Sequence, residues 1–419
     1  MRKRTEKEAL REKMAKEKLR IALIGAGCRG YALVTTMCLF KDISVITAVC
    51  DLYQDKAEAA AKQVETLSGH TPVVVNDYHE AFQYADAVVI STAWEYHAEI
   101  AVEAMRAGKI VGLDVGGAYS MEDCWSLVRT YEETKTPFMF LENCCFDKSE
   151  LLVTNMVRQG LLGNVVHCSG AYSHDLREEV LTGYEKRHYR LRNYISRNCE
   201  NYPTHELGPI AMLLDVNRGN RMVSLVSVAS KALGMREYAK EQGKLTDVDF
   251  KQGDIVTTII TCANGETIEL RLDTTLPGFY DRAVTVRGTK GLYNQTLNAV
   301  YIDKVHPENV GQYPVFSQIL VNNAAEYEEK YLPSVWKGIT KEQLEAGHGG
   351  MDAIMMEVFI NKALSGDKMP IDVYDAAAWM CVACLSEQSI LMGGQPQIIP
   401  DFTGGKWLMR NSEDVISLD

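Results

Sequence analysis

The chain has 419 residues, 46% of them hydrophobic and 24% charged, enough for two domains and a large core. Its net charge of −12 argues against nucleic acid or an anionic membrane as the main partner, and no run of about 18 apolar residues exists to span a membrane. The 11 cysteines follow no repeating pattern and lie mostly in apolar runs, as reduced cysteines of a cytoplasmic protein do.

Residues 1–19, MRKRTEKEALREKMAKEKL, never reach an apolar stretch and read as a charged helix or arm, not a secretory signal. From residue 20 the chain alternates. Strands are predicted at 20–24, 44–50, 72–75, 86–91, 110–114 and 137–141, with helices near 29–40, 54–68, 95–107 and 120–134. This βα alternation predicts a doubly wound parallel sheet, an α/β Rossmann domain over 20–145.

The first strand breaks into Gly25-Ala26-Gly27-Cys28-Arg29-Gly30, and the second ends on Asp51. That is the pattern of a dinucleotide site. Gly25 makes the tight turn, Gly27 admits a pyrophosphate to the backbone, and Gly30 lets helix and strand pack closely. Asp51 accepts hydrogen bonds from a ribose 2′-hydroxyl and repels a 2′-phosphate, so NAD is favoured over NADP. A Gly-rich turn in another parallel α/β protein is the alternative. Ligands of such sheets bind beyond the carboxyl ends of the strands. The residues to examine there are also Ser91 to His97, including Thr92, then Asp114 to Gly117, and Glu142 with Asn143.

Beyond residue 145 the pattern changes to one α+β domain over 146–419, with an open, mostly antiparallel sheet. A helix over 150–160 precedes a strand, VVHCSGAYS, and a second helix is expected near 204–215. Alternating strands follow in MVSLVSVASK, DIVTTIITCA, ETIELRLDTT and AVTVRGTKG, with Asn264-Gly265 as a hairpin signal. Residues 302–347 read as loop-rich, and helices follow at 350–364 and 373–391. Cys381-Val-Ala-Cys384 falls within the last of these with no second pair, and reads as core packing.

The densest polar cluster spans 172–209: YSHDLREEV, RHYRLRN and NCENYPTHELGP. Aromatic rings, histidines and arginines gathered between a strand and a helix suit a carbohydrate pocket. Arginine fixes hydroxyl or carbonyl oxygens, while tyrosine and histidine transfer protons. Thr204 reads as the N-cap of the helix, which puts His205 in its first turn. The pairs His174-Asp175 and His205-Glu206 lack the spacing that places ligands on one helical face, so no metal site is expected.

These motifs give a resemblance. The chain is similar to the Gfo/Idh/MocA superfamily of sugar and inositol oxidoreductases, and within it resembles glycoside hydrolase family 109, the NAD-dependent α-N-acetylgalactosaminidases. GAGCRG, TAWEYH, GLDVGGA, ENCC, GAYSHDLR, YRLRN, NYPTHELGP, NRGNRM, the Tyr280 segment before VRGTKG, GHGGMD, VYDAAAW and LSEQS carry it from residue 20 to about 407. The resemblance implies NAD contacts at Cys28, Arg29, Asp51, Trp94, Glu95, Tyr96, His97, Asp114, Val115 and Asn143, with Thr92 and Tyr202 beside them. It implies sugar contacts at Tyr172, Arg190, Tyr202, Pro203, Thr204, His205 and Tyr280. The superfamily's usual Glu-Lys-Pro is replaced by Asp114-Val115-Gly116. A valine cannot transfer a proton, which argues against an ordinary sugar dehydrogenase. The family often has Glu at the Asp114 position and Gly at the Glu206 position.

The implied route oxidises sugar C3 with NAD⁺, removes the acidified C2 proton, expels the C1 substituent, adds water and returns the hydride. His205 is the group expected to handle the C3-hydroxyl proton and Tyr172 the C2 proton, with Tyr280 and Glu142 assisting. A tyrosine hydroxyl, with an ordinary pKa near 10, needs a cation such as Arg190 beside it to serve as a base. Two other readings stay open: a net NAD-dependent sugar or inositol dehydrogenase, and a dinucleotide-binding protein without turnover. The open sheet is expected to pair with a second copy, giving a homodimer or higher oligomer.

Overall fold

Six strands form a wholly parallel sheet in the computed structural model, which describes residues 18–306 and 320–418. They are β1 (Leu19–Ile24), β2 (Ser44–Cys50), β3 (Val73–Val75), β4 (Ala87–Ile90), β5 (Ile110–Leu113) and β6 (Phe138–Phe140). Each lies within one residue of its expected bounds. All four residues of β4 are buried, as a central parallel strand covered on both faces requires. The strand order β3-β2-β1-β4-β5-β6 reverses direction between β1 and β4, which opens a crevice at the carboxyl ends of those two strands. Helices Cys28–Cys38, Gln54–Ser68, His97–Arg106 and Met121–Thr134 connect the strands. Of the charged arm expected over 1–19, only Lys18 and Leu19 fall among the described residues.

This first compact unit is not confined to residues 20–145. It ends at Phe146 and takes in Gly338–Ala377 as well, a stretch that the sequence pattern places in the second domain. The reason is packing. Helix Met351–Ser365 buries Met351, Met355, Met356, Phe359 and Ile360. The Phe359 ring lies so near Gly112 of β5 that a Cβ there would come within 3.1 Å of it. The Phe140 amide of β6 donates to the Ile371 carbonyl at 2.9 Å.

The second unit comprises Asp147–Lys337 and Ala378–Asp419. Its sheet has eight strands: β7 (Val165–Ser173), β8 (Met222–Ala229), β9 (Ile255–Cys262), β10 (Thr267–Asp273), β11 (Thr285–Gly288), β12 (Gly291–Asn294), β13 (Ala299–Ile302) and β14 (Gln397–Ile398). The order is β13-β12-β11-β7-β10-β9-β8-β14. Only β7 and β10 run parallel to each other, so the sheet is mixed and mostly antiparallel. Along β10, Ile268, Leu270 and Leu272 are buried while Glu269 and Arg271 are exposed, the alternation of a sheet covered on one face. Gly265, at φ +100°, turns β9 into β10.

Helix Thr204–Leu213 covers the inner face at β7. A Cβ on Gly170 would stand 2.8 Å from the Glu206 Cβ, so this helix meets the strand where the strand has no side chain. Glu206 thus packs its Cβ against the sheet. Strands β12 to β14 were not expected. The stretch 302–347 holds short helices Ala325–Tyr331, Ser334–Lys337 and Lys341–Glu345 among its described residues. All eleven cysteines are free, and only Cys28 is exposed. No helix among the described residues is long and apolar enough to cross a membrane.

Candidate active site

The glycine turn makes a tight bend at Gly25 and a close approach at Gly30. Gly25 sits at φ +94°, and a Cβ there would press to 2.4 Å of the Ser91 carbonyl oxygen. A Cβ on Gly30 would strike the Gly25 carbonyl oxygen, so the helix beginning at Cys28 runs directly against β1. A Cβ on Gly27 would meet nothing within 4 Å. The turn therefore leaves Gly27 and the N-terminus of an 11-residue helix accessible to a pyrophosphate. Asp51, at the end of β2, accepts from the Ala26 amide at 2.7 Å and the Tyr53 amide at 2.9 Å, which fixes it beside the turn. A carboxylate has capacity for further bonds, so it remains able to take a ribose hydroxyl.

The other expected cofactor residues follow β4, β5 and β6. Ser91 donates to Asp114 at 2.7 Å, joining the ends of β4 and β5. Trp94 is buried, and its ring occupies the place a Cβ on Gly116 (φ +153°) would take. His97 is buried too, and its Nε2 lies 3.1 Å from the Thr92 carbonyl. Burial lowers its pKa, so the ring is neutral and braces the Thr92–Tyr96 turn. Val115 is buried, Glu95 half-buried and Tyr96 exposed. After β6, Glu142 is buried and accepts from the Cys144 amide at 3.1 Å. Arg29 and Asn143 both bond to Asp352.

The second unit gathers the polar cluster. Tyr172, on β7, and Tyr202, before helix Thr204–Leu213, have ring centroids 4.6 Å apart. His205 stands edge-on to both, and its Nε2 is 3.2 Å from the Tyr202 hydroxyl. The Arg190 guanidinium lies 5.0 Å from the Tyr202 ring centre, and its Nε is 2.6 Å from a Glu179 carboxylate oxygen. Burial opposes the Arg190 charge, but Tyr189, Tyr172, Glu179 and Tyr202 hold its pKa well above the ordinary value, and it stays a cation. Tyr280, 49% exposed, packs edge-on to Tyr172 and His174. Pro203 and Thr204 are buried. Pro203, not Thr204, caps the helix. Its fixed φ suits a helix start, and Thr204 is the first helical residue, which still leaves His205 in the first turn.

His174, which is not among the expected site residues, belongs here. His174 Nδ1 lies 3.0 Å from the Tyr172 hydroxyl. Burial, and then the Arg190 charge, lower its pKa and keep it neutral. The signal was available: residues two apart on a strand share a face, and His174 directly follows β7. The expected residues thus separate by unit. The glycine turn, Asp51, Thr92 to His97, Asp114, Val115, Glu142 and Asn143 lie in the first. Tyr172, Arg190, Tyr202 to His205 and Tyr280 lie in the second.

The first unit defines the class. Residues 19–141 match the NAD-binding Rossmann fold of the Gfo/Idh/MocA oxidoreductase family, and the cofactor is NAD. The fold is shared with a levoglucosan dehydrogenase solved with NADH and levoglucosan (TM-score 0.67, 18% identity, 92% of this chain and 100% of that one). It is shared also with myo-inositol 2-dehydrogenase from Lactobacillus plantarum (TM-score 0.64, 14% identity, 92% and 100%).

Residues 146–409 match the C-terminal domain of glycosyl hydrolase 109. A glycosyl hydrolase family 109 protein of Stenotrophomonas maltophilia is 36% identical over 94% of this chain and 91% of its own length. An α-N-acetylgalactosaminidase of Tannerella forsythia is 33% identical over 94% and 88%. The chain belongs to glycosyl hydrolase family 109 and is an enzyme of that NAD-dependent family.

Proposed function

We propose that this enzyme hydrolyses α-N-acetylgalactosaminides or closely related glycosides by transient oxidation, elimination and hydration, with no net redox change. The observation that carries the reading is the pair of tyrosine–histidine contacts, Tyr202–His205 and Tyr172–His174, beside a buried arginine. When bound, NAD supplies the acceptor for the C3 hydride and the donor that later returns it.

The chain's own residues then have proton work to do. His205 takes the C3-hydroxyl proton as the C3 carbonyl forms. That carbonyl acidifies the C2–H bond. Arg190 favours a Tyr172 anion, and neutral His174 receives the Tyr172 proton, so the tyrosinate can remove the proton at C2. The C1–O bond breaks, its electron pair leaves on the aglycone oxygen, which takes a proton, and a C1=C2 double bond forms. Water adds at C1, a proton returns to C2, and His205 gives back its proton when C3 is reduced. Tyr202 and Tyr280 wall the sugar, and Glu142 serves the leaving group. The name of the Tannerella forsythia relative supports the sugar class. Val115, where a dehydrogenase of the superfamily carries lysine, supports the absence of net oxidation.

The second reading is a net sugar dehydrogenase, favoured by the fold likeness to dehydrogenases. One assay separates them: purified enzyme is given aryl α- and β-glycosides, and aglycone and NADH are followed together. Aglycone without lasting NADH supports the hydrolase; NADH without aglycone refutes it. We also read the enzyme as a homo-oligomer. Val228, Ile259 and Ile398 are exposed on one face of the second sheet, where a second copy would cover them; a monomer by light scattering refutes this. Eleven free thiols support a cytoplasmic location.

A further inference from the structure

The segment Gly347-His348-Gly349-Gly350-Met351-Asp352 has no role in the proton chemistry above, yet its geometry is unusual. Gly347, Gly349 and Gly350 stand at φ +144°, +64° and +103°, and His348 at +45°. The turn delivers one side chain. The Asp352 carboxylate, 1% exposed, lies so near Gly347 that a Cβ there would be 2.6 Å from its Oδ2.

That carboxylate is the centre of a network. Arg29 Nη1 donates to Oδ2 at 2.6 Å and Nη2 to Oδ1 at 3.0 Å, a two-pronged pair across 323 residues of sequence. Asn143 Nδ2 donates to Oδ1 at 2.8 Å, and His348 Nδ1 is 2.8 Å from Oδ2. On its other side Arg29 Nε lies 3.5 Å from Asp114 Oδ1. Burial opposes ionisation of Asp352, but Arg29 and His348 overcome it and hold the carboxyl well below its usual range. The carboxylate is therefore a permanent anion. It orients residues from the glycine turn and from the end of β6, at the edge where a dinucleotide binds.

We propose that Asp352 is a cofactor-positioning residue, whose buried carboxylate fixes the Arg29 guanidinium and the Asn143 amide for NAD. Arg29 follows Gly27 by two residues, at the start of the phosphate-facing helix. Its planar fork has one geometry that matches a carboxylate at two points, so pairing with Asp352 removes its rotational freedom before the cofactor arrives. The claim rests on the NAD cofactor and not on the glycosidase chemistry.

The experiment titrates NAD⁺ into the full-length protein calorimetrically, with no glycoside present, so a failed glycosidase assay leaves it unaffected. Asp352→Asn keeps a carbonyl oxygen for Asn143 and loses the anion that holds Arg29. The proposal expects its Kd for NAD⁺ to rise about tenfold or more, the loss of a charge-assisted bond. In an Arg29→Ala background the same change should alter Kd by less than about twofold, because its target is gone. An unchanged Kd, or an equal fold-change in both backgrounds, overturns the proposal, since a merely structural aspartate would lower Tm independently of Arg29. If Asp352→Asn does not fold, Arg29→Lys decides. It keeps the charge without the fork and should also weaken NAD⁺ about tenfold; wild-type affinity overturns the claim.

Discussion

Beneath the loop that carries Tyr280 lies a buried arginine between two carboxylates, and its pH behaviour can be worked out. Arg282 hydrogen-bonds through its carbonyl to the Ala171 amide of β7, and Asp281 exchanges two bonds with Ser173. Its guanidinium is 3.1 Å from Asp147 and 3.4 Å from Glu150. One cation cannot neutralise two anions. Glu150 is the deeper, 2% exposed, and burial pushes its pKa up to about 7, against the pull of Arg282 and with the push of Asp147. A group whose folded pKa exceeds its unfolded value contributes stability that is present below the unfolded pKa and lost as pH rises through the folded one. Here the loss runs from about pH 4.5 to above pH 7. At 1.36 kcal/mol for each tenfold change in proton affinity, it is on the order of 3 kcal/mol, most of it between pH 5 and 8. Glu150→Gln cannot ionise and keeps an oxygen for Gln295, which donates to Glu150 at 3.0 Å. Urea denaturation of both proteins across that range should show the variant gaining on the wild type by roughly 2 to 3 kcal/mol as pH rises. Parallel profiles, or a wild type that gains, would mean that Glu150 is ionised at neutral pH and that its pairing with Arg282 is a stabilising ion pair.

Further outcomes follow from the geometry. Tyr172→Phe should lower kcat for aglycone release about 10²–10⁴-fold with NAD affinity unchanged, and His174→Ala should lower it about tenfold or more while moving the pH profile; a His174→Ala profile that overlays the wild type would remove His174 from the proton path. Asp51→Ser should narrow the preference for NAD over NADP, read as the ratio of the two dissociation constants, because the repulsion of a 2′-phosphate is gone; an unchanged ratio would remove Asp51 from the ribose site. Gly170→Ala should destabilise by about 1–3 kcal/mol, since its Cβ would stand 2.8 Å from that of Glu206. Adding Glu206→Gly should recover part of that loss in thermal melts, and strict additivity of the two changes would refute the contact.

The first sheet was legible almost to the residue because its central strands are buried on both faces and its strands read as short apolar runs between polar helices. Strands β12 and β13 are four residues each and lack a comparable signal, so they went unread. The allegiance of 338–377 was illegible for a different reason. Helix Met351–Ser365 is apolar on nearly every side, so no polar face says which sheet it covers. Contacts such as that of Phe359 with the bare Gly112 settle it, and they join residues far apart in the chain.

The site divides the same way, by sequence distance. Tyr202 and His205 are three apart at a helix start, Tyr172 and His174 two apart at a strand end, and both pairs follow from local periodicity once the elements are placed. The glycine turn is equally local. Asp352 is not. Its sequence surroundings announce a turn before a helix and nothing about Arg29, whose partner is set by the way helix Met351–Ser365 returns to the parallel sheet. Types of residue and short spacings therefore reveal which groups can move protons. The buried acids come from long-range packing instead: Asp352 is an anion paired with Arg29, and Glu150 lies beside Arg282 with its pKa raised. Burial raises the pKa of both acids; for Asp352 the Arg29 and His348 partners overcome it, whereas Glu150 shares Arg282 with Asp147 and burial prevails.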